Sequence, residues 1–215
     1  RIEKKVRFLE KNLEIDLVGC SLKSIDMDGQ LIGESIYSPN QELLLATLKY
    51  STPVSHIWVA RRHVYDQLNG YRELSGVEDY DFLLRMTTLG LKYSNLEDYF
   101  GYYVRLGREG NTIESLGIKQ RKMRKYAYSL FLEREKYGKD SFSLEFLDSV
   151  INSSTIGTKL YSFSAQCLAR AIRFRGHKCY FRMIVFLLLS LVSTYQVLYL
   201  YDSLIHRLIV RSFKK

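Results

Sequence analysis

The sequence predicts an α/β fold over residues 1–115 and an α-helical extension over residues 116–215. Three observations carry this. Helical and extended patterns alternate through the first half, as expected where helices cover a sheet. A basic run, Lys119-Gln-Arg-Lys-Met-Arg-Lys125, then opens a segment with helical patterning only. Beyond it, Met183 to Tyr201 is almost free of charge and has arginines on both flanks.

The elements follow in order. Arg1 to Asn12 reads as a charged amphipathic helix with Ile2, Val6 and Leu9 on one face, and it lacks a signal-peptide pattern. An opening arginine suggests a chain cut at or near the start of its first element. Leu13 to Ile25 holds extended runs and ends at Asp26-Met-Asp-Gly29, a turn signal, with Leu31 to Tyr37 as the return strand. Asn40 caps a helix running to Lys49. Ser55 to Arg61 is a short apolar strand, and Arg62 to Leu68 a helix stopped by Asn69-Gly70. Ser75 and Glu78 have capping-box spacing before a helix whose Phe82, Leu83, Met86 and Leu89 share a face; Gly90 ends it. Leu91 to Asn95 and Tyr99 to Leu106 are extended.

Composition narrows the function. Residues are 47% hydrophobic and 26% charged, a balance that excludes disorder. Three scattered cysteines form no C-x-x-C pair, so neither a zinc ribbon nor a redox motif is available. A net charge of +9 attracts phosphate-bearing partners. The basic residues adjoin a strongly apolar tail and no RRM, KH or helix-turn-helix signature occurs, so an anionic membrane surface is expected and nucleic acid is not. A break near Ser193-Thr194 would divide the apolar stretch into two helices. The second, with Val197, Leu198, Tyr201, Leu204, Ile205 and Leu208, is amphipathic and basic. Surface association is favoured over a true span or ordinary buried helices.

The sharpest local feature is Glu78-Asp79-Tyr80-Asp81, three carboxylates where the helix dipole favours negative charge. Glu78 can cap and Asp81 can pair with Arg85 at i,i+4, but Asp79 has no such local duty. The letters Asp26-Met-Asp28 fit a hairpin turn better than a metal site, since Gly29 follows and a metal needs converging ligands.

Taken together, Thr52-Pro-Val-Ser-His-Ile-Trp-Val-Ala-Arg61, Tyr65-Asp-Gln-Leu-Asn-Gly-Tyr-Arg72 and Val77-Glu-Asp-Tyr-Asp-Phe-Leu-Leu-Arg85 resemble the second half of family 2 glycosyltransferases. In that family a Gly-Gly-Tyr type loop precedes a Glu-Asp pair at a helix start; here the loop is Asn69-Gly70-Tyr71. Arg1 to Gly19 looks like the helix and strand that follow the family's Asp-x-Asp metal motif. The resemblance spans roughly residues 1–112. It implies the C-terminal, acceptor-side part of a GT-A sandwich, with the nucleotide-binding half preceding this chain.

The resemblance further implies an inverting sugar transfer from a nucleotide-diphospho-sugar to an acceptor hydroxyl. Asp79 would be the general base and Glu78 its neighbour at the acceptor. His56, Trp58, Tyr71 and Arg72 would line the acceptor site, although Trp58 reads more readily as core and Arg72 also as a plain surface residue. Many relatives carry Tyr-Arg-x-His where this chain has Tyr102-Tyr-Val-Arg-Leu-Gly107. Arg105 fits the Arg, but Gly107 stands in the place of the metal-ligating His. Arg105 or Arg108 would instead meet the donor diphosphate. A divalent cation, Mg or Mn, is implied and would be held mainly by the preceding half. The setting implied is bacterial surface polysaccharide synthesis, at the inner face of the plasma membrane, on a glycan or lipid-linked acceptor. The alternative is a non-catalytic peripheral membrane binding module.

Overall fold

A computed structural model of the chain describes residues 1–106, 117–152 and 155–213. Its first part is α/β, as expected. The elements are α1 (Ile2–Lys11), β1 (Leu17–Ile25), β2 (Leu31–Ser35), α2 (Gln41–Thr47), β3 (Val59–Ala60), α3 (Arg62–Leu68), α4 (Glu78–Thr88) and β4 (Tyr93–Arg105). Helices α5 (Gly117–Tyr137), α6 (Leu144–Asn152), α7 (Thr155–Gly176), α8 (Tyr180–Leu189) and α9 (Thr194–Ser212) follow.

The sheet is mixed and centred on β1. Its C-terminal half pairs antiparallel with β2, Leu22 opposite Ser35, and its first residues pair antiparallel with β3, Leu17 opposite Ala60. β4 runs parallel to β1 from Leu17↔Tyr93 to Ile25↔Arg105. The register slips between Cys20 and Leu22, where β4 bulges through Asp98 at φ 47°. One irregular strand thus replaces the two extended segments expected there.

The β1–β2 turn forms as read. Asp26 Oδ1 accepts the N–H groups of Asp28 and Gln30 at 3.0 and 2.8 Å, and Gly29 takes φ 86°. Asn40 caps α2 by accepting the Leu43 N–H at 2.9 Å. α3 stops at Asn69, which adopts the left-handed conformation at φ 53°.

Three expectations are corrected. Only Val59–Ala60 of the Ser55–Arg61 segment is strand, because side chains satisfy its backbone surroundings instead. Ser55 Oγ donates to the Cys20 carbonyl at 3.0 Å, and the Lys5 ammonium donates to the Ile57 carbonyl. That same bond redirects α1. Its buried residues are Lys5 and Leu9, while Ile2 and Val6 face solvent. Third, no Ser75–Glu78 capping box closes. Val77 is the residue before α4, and Glu78 Oε2 instead accepts the Gly76 N–H at 2.5 Å.

α4 is the pivot of the core. Phe82, Leu83 and Met86 pack with Leu17, Val54, Val64 and Tyr93 beneath the sheet. Its other side, Tyr80 and Leu84, packs with Met123, Ala127 and Leu130 of α5 and Leu147 of α6. The core therefore runs across the 115/116 boundary. Leu89, expected on the buried face, lies past the helix end and is exposed.

Candidate functional site

Two close-packed joints set the backbone around the site. A Cβ on Gly19 would sit 2.3 Å from Val54 Cγ1 and 2.5 Å from Asn95 Oδ1, so glycine lets the loop carrying residues 53–56 press onto β1. Buried Asn95 holds that loop and the one before α2 by donating to the Pro53 and Ser38 carbonyls at 3.1 and 2.9 Å. His56 follows directly and is exposed.

The loop after α3 is held from below by α4. Arg85 pairs with Asp81 at 2.8 Å and donates to the Leu68 and Gly70 carbonyls at 2.6 and 2.8 Å. It thereby satisfies carbonyls that a helix end leaves open. Tyr71, next in sequence, packs its ring 4.8 Å from Phe82 and lies 3.3 Å, hydroxyl to hydroxyl, from Tyr65. Trp58 Nε1 donates to the Tyr65 hydroxyl at 3.2 Å, and the indole stacks on Phe82 at 5.8 Å. Trp58 is half-buried: one side belongs to the core, and its N–H joins a polar chain ending at the exposed Tyr71. Burial, then the Tyr65 hydrogen bond, pushes the Tyr71 phenol far above its ordinary range.

Asp79 stands in the first turn of α4, half-buried. Oδ1 accepts the Tyr80 N–H at 2.7 Å, and no described residue donates a hydrogen bond to Oδ2. Burial raises its pKa above the ordinary carboxylate value. The Tyr80 N–H and the charges of His56 and Arg124 oppose that rise, while Glu78 adds to it. Tyr37 and Tyr71 both feel the Asp79 charge. His56, Glu78, Tyr71 and Asp79 are thus electrostatic neighbours. An open groove of 490 Å³ is lined by Tyr71, Arg72, Glu73, Leu74, Ser75 and Glu78; neither Asp79 nor His56 is in its lining.

Two sequence candidates have structural partners instead. Arg72 makes a two-pronged pair with Asp140 at 2.7 and 3.2 Å, which also pairs with Arg134, and its guanidinium lies over the Phe142 ring. It is not a plain solvated surface residue: it locks the loop before α4 to the α5–α6 turn and also lines the groove. Burial alone would raise the Asp140 pKa, but the Arg72 and Arg134 hydrogen bonds hold it below the ordinary value. Arg105 Nη1 donates to the Asp26 and Met27 carbonyls at 2.8 Å each and so braces the β1–β2 turn. Gly107 and Arg108 lie outside the described residues.

Sequence reasoning missed Arg124 and Tyr37. Arg124 belongs to the basic run of α5, yet burial lowers its pKa and its guanidinium stacks 3.8 Å over the Tyr80 ring. Nη1 donates to Thr52 Oγ1 at 3.1 Å, while Nη2 is buried without a hydrogen-bond partner among the described residues. The only signal available was position, one residue after Met123 on a helix with a buried face. Asp26 and Asp28 stay in their turn, and among the described residues no three His, Cys, Asp or Glu converge as metal ligands.

No protein-family model matches the chain, and no curated protein matches it significantly.

Proposed function

We propose that this chain carries the acceptor side of an inverting glycosyltransferase of the GT-A type, with Asp79 as general base. The observation that carries this reading is the half-buried Asp79 carboxylate. It has a raised proton affinity, no described residue donates to its Oδ2, and the charges of His56 and Glu78 act on it; Glu78, next to it in sequence, lines an open groove with Tyr71. A sugar hydroxyl attacks only as its proton leaves, and a positioned carboxylate contributes about 10²–10⁴-fold. In this reading the acceptor hydroxyl gives its proton to Asp79, and its oxygen bonds to the anomeric carbon of the donor. The bond to the nucleoside diphosphate breaks on the opposite face, so configuration inverts. Glu78 and Tyr71 orient the acceptor, while Arg72, Arg85 and Trp58 hold the loop that presents them. The divalent cation that the resemblance implies would be held mainly by the preceding half; among the described residues no three His, Cys, Asp or Glu converge as its ligands.

The donor in this reading is a nucleotide-diphospho-sugar, and the acceptor a glycan or a lipid-linked sugar met at an anionic membrane surface, as in bacterial surface polysaccharide synthesis. The second reading, a membrane binding module without catalysis, is favoured by the exposed apolar tail.

The test is Asp79→Asn in the protein that carries this chain, assayed with a panel of nucleoside-diphosphate sugars. Transfer falls at least about 10²-fold while donor binding is unchanged. The wild-type rate rises with pH through the raised Asp79 pKa, so its acid limb lies above 3.8. A neutral Asn also removes the cost of ionising a buried acid, so the variant unfolds no earlier than wild type at pH 7. Wild-type turnover in Asp79→Asn would sink the assigned base. No transfer by the wild type with any donor would favour the binding module.

A further inference from the structure

The last two helices turn their apolar sides to solvent. α8 buries none of its residues. Phe181, Leu188 and Val192 are 81%, 64% and 53% exposed, and Tyr201, Leu204 and Leu208 continue that surface along α9. What is buried around the break is polar: Ser190, Ser193 and Gln196. The Ser193 N–H donates to Ser164 Oγ of α7 at 3.0 Å. A helix pair built for water has the opposite arrangement, and an apolar surface of this extent marks an interaction site.

Shape and charge select the occupant. Among the described residues no single helix is long and apolar enough to cross a membrane; α8 and α9 are so only when taken together, and they are bent by 114° at the break between them. The 10 residues of α8 reach about 15 Å, half of a hydrocarbon core of about 30 Å. Arg175, Lys178 and Arg182 are exposed at the α7–α8 turn, and Arg207 and Arg211 at the far end of α9. Positive charge on both flanks gives a spanning helix no orientation. It suits a bent pair whose two ends stay in the same headgroup layer. A second copy of the chain would bring its own arginines to this surface, whereas anionic headgroups complement them.

We propose that α8 and α9 seat the protein in one leaflet of an anionic bilayer as a bent pair lying in the membrane plane, with both basic ends on the protein's own side. This rests on the membrane partner proposed above and is independent of sugar transfer. It also sets where the leaflet lies relative to the site. α9 is fastened to α5 by Arg121, whose guanidinium sits 3.8 Å over the Tyr199 ring. Arg124, one turn further along α5, lies 3.8 Å over the ring of Tyr80, the neighbour of Asp79 in the first turn of α4. The first turn of α4 is thereby held close to the headgroup layer, where a lipid-linked acceptor would present its sugar.

The experiment adds the full chain to the outside of preformed vesicles, either phosphatidylcholine alone or mixed with phosphatidylglycerol, and measures flotation. A membrane-impermeant maleimide then probes the native Cys179, which is exposed while Cys20 and Cys167 are buried. Ser212→Cys is probed in a Cys179→Ser background. The expected result is binding at least about tenfold stronger to the anionic vesicles, with both positions labelled without detergent. Labelling at position 179 but protection at 212 until detergent is added means a span, and overturns the one-leaflet seat while leaving the membrane partner standing. Absence of flotation with either lipid, or a concentration-dependent dimer that buries these helices, removes both. Leu188→Asp with Val192→Asp lowers anionic-vesicle binding by about tenfold or more at unchanged helix content. Unchanged binding in that variant also overturns the proposal.

Discussion

Around α4 the buried groups include charges, whereas along α8 and α9 the exposed groups are leucines and aromatics. Asp81 is fully buried and Arg85 nearly so, yet their pairing and the Leu68 and Gly70 carbonyls leave only Asp81 Oδ1 of the two side chains without a hydrogen bond among the described residues, and the Arg72 guanidinium faces that oxygen at 4.0 Å. A buried charge is tolerated when it is paired and hydrogen-bonded, and becomes costly when one partner is taken away. Among the described residues of α8 and α9 no comparable network of buried charges is seen, and their apolar side chains gain nothing from water. One region spends its polar groups on holding a loop in place; the other leaves its apolar groups available to a different solvent.

The comparison is sharpened most by Arg85→Met. It strands Asp81 and opens the Leu68 and Gly70 carbonyls, so the expected loss is about 4 kcal/mol in urea unfolding. A loss below about 1 kcal/mol would mean that the loop is held by packing alone.

Asp140→Asn comes next, at about 2 kcal/mol near pH 7, discounted because Arg72 is partly exposed. The folded-state pKa of Asp140 is depressed, so its contribution is present above the unfolded value of 3.8 and fades as pH falls through the lower folded value. The gap between variant and wild type should therefore shrink on acidification below 3.8. A gap that stays constant with pH would show that Asp140 acts by shape and not by charge.

The smallest effect is expected in the tail. Leu188→Ser removes an exposed leucine and should shift the unfolding midpoint by less than about 0.5 kcal/mol in the absence of lipid. A larger loss would place Leu188 in a protein core and break the contrast between the two regions.

Local chemistry was legible in the sequence. The Asp26–Gly29 turn, the Asn40 cap, the Asn69-Gly70 stop, the Asp81–Arg85 pair and the break before Thr194 each depend on residues within a few positions of one another. The carboxylates at the start of α4 were legible for the same reason. The capping box was not, although its letters were present, because Glu78 found a nearer donor in Gly76.

Read alone, the sequence thus determined the alternation of elements, their caps and stops, and a first helical turn rich in carboxylate. The tertiary structure decided which groups those carboxylates face. Lys5 is buried because the Ile57 carbonyl, 52 residues away, receives its ammonium. Arg72 is a lock because Asp140 arrives from 68 residues on. Arg124 leaves the basic run for the neighbourhood of Asp79 because α5 packs against α4. The side-chain periodicity of a helix identifies a face, but the partner of a charge on that face is set by chain closure over long separations, which local patterning does not encode.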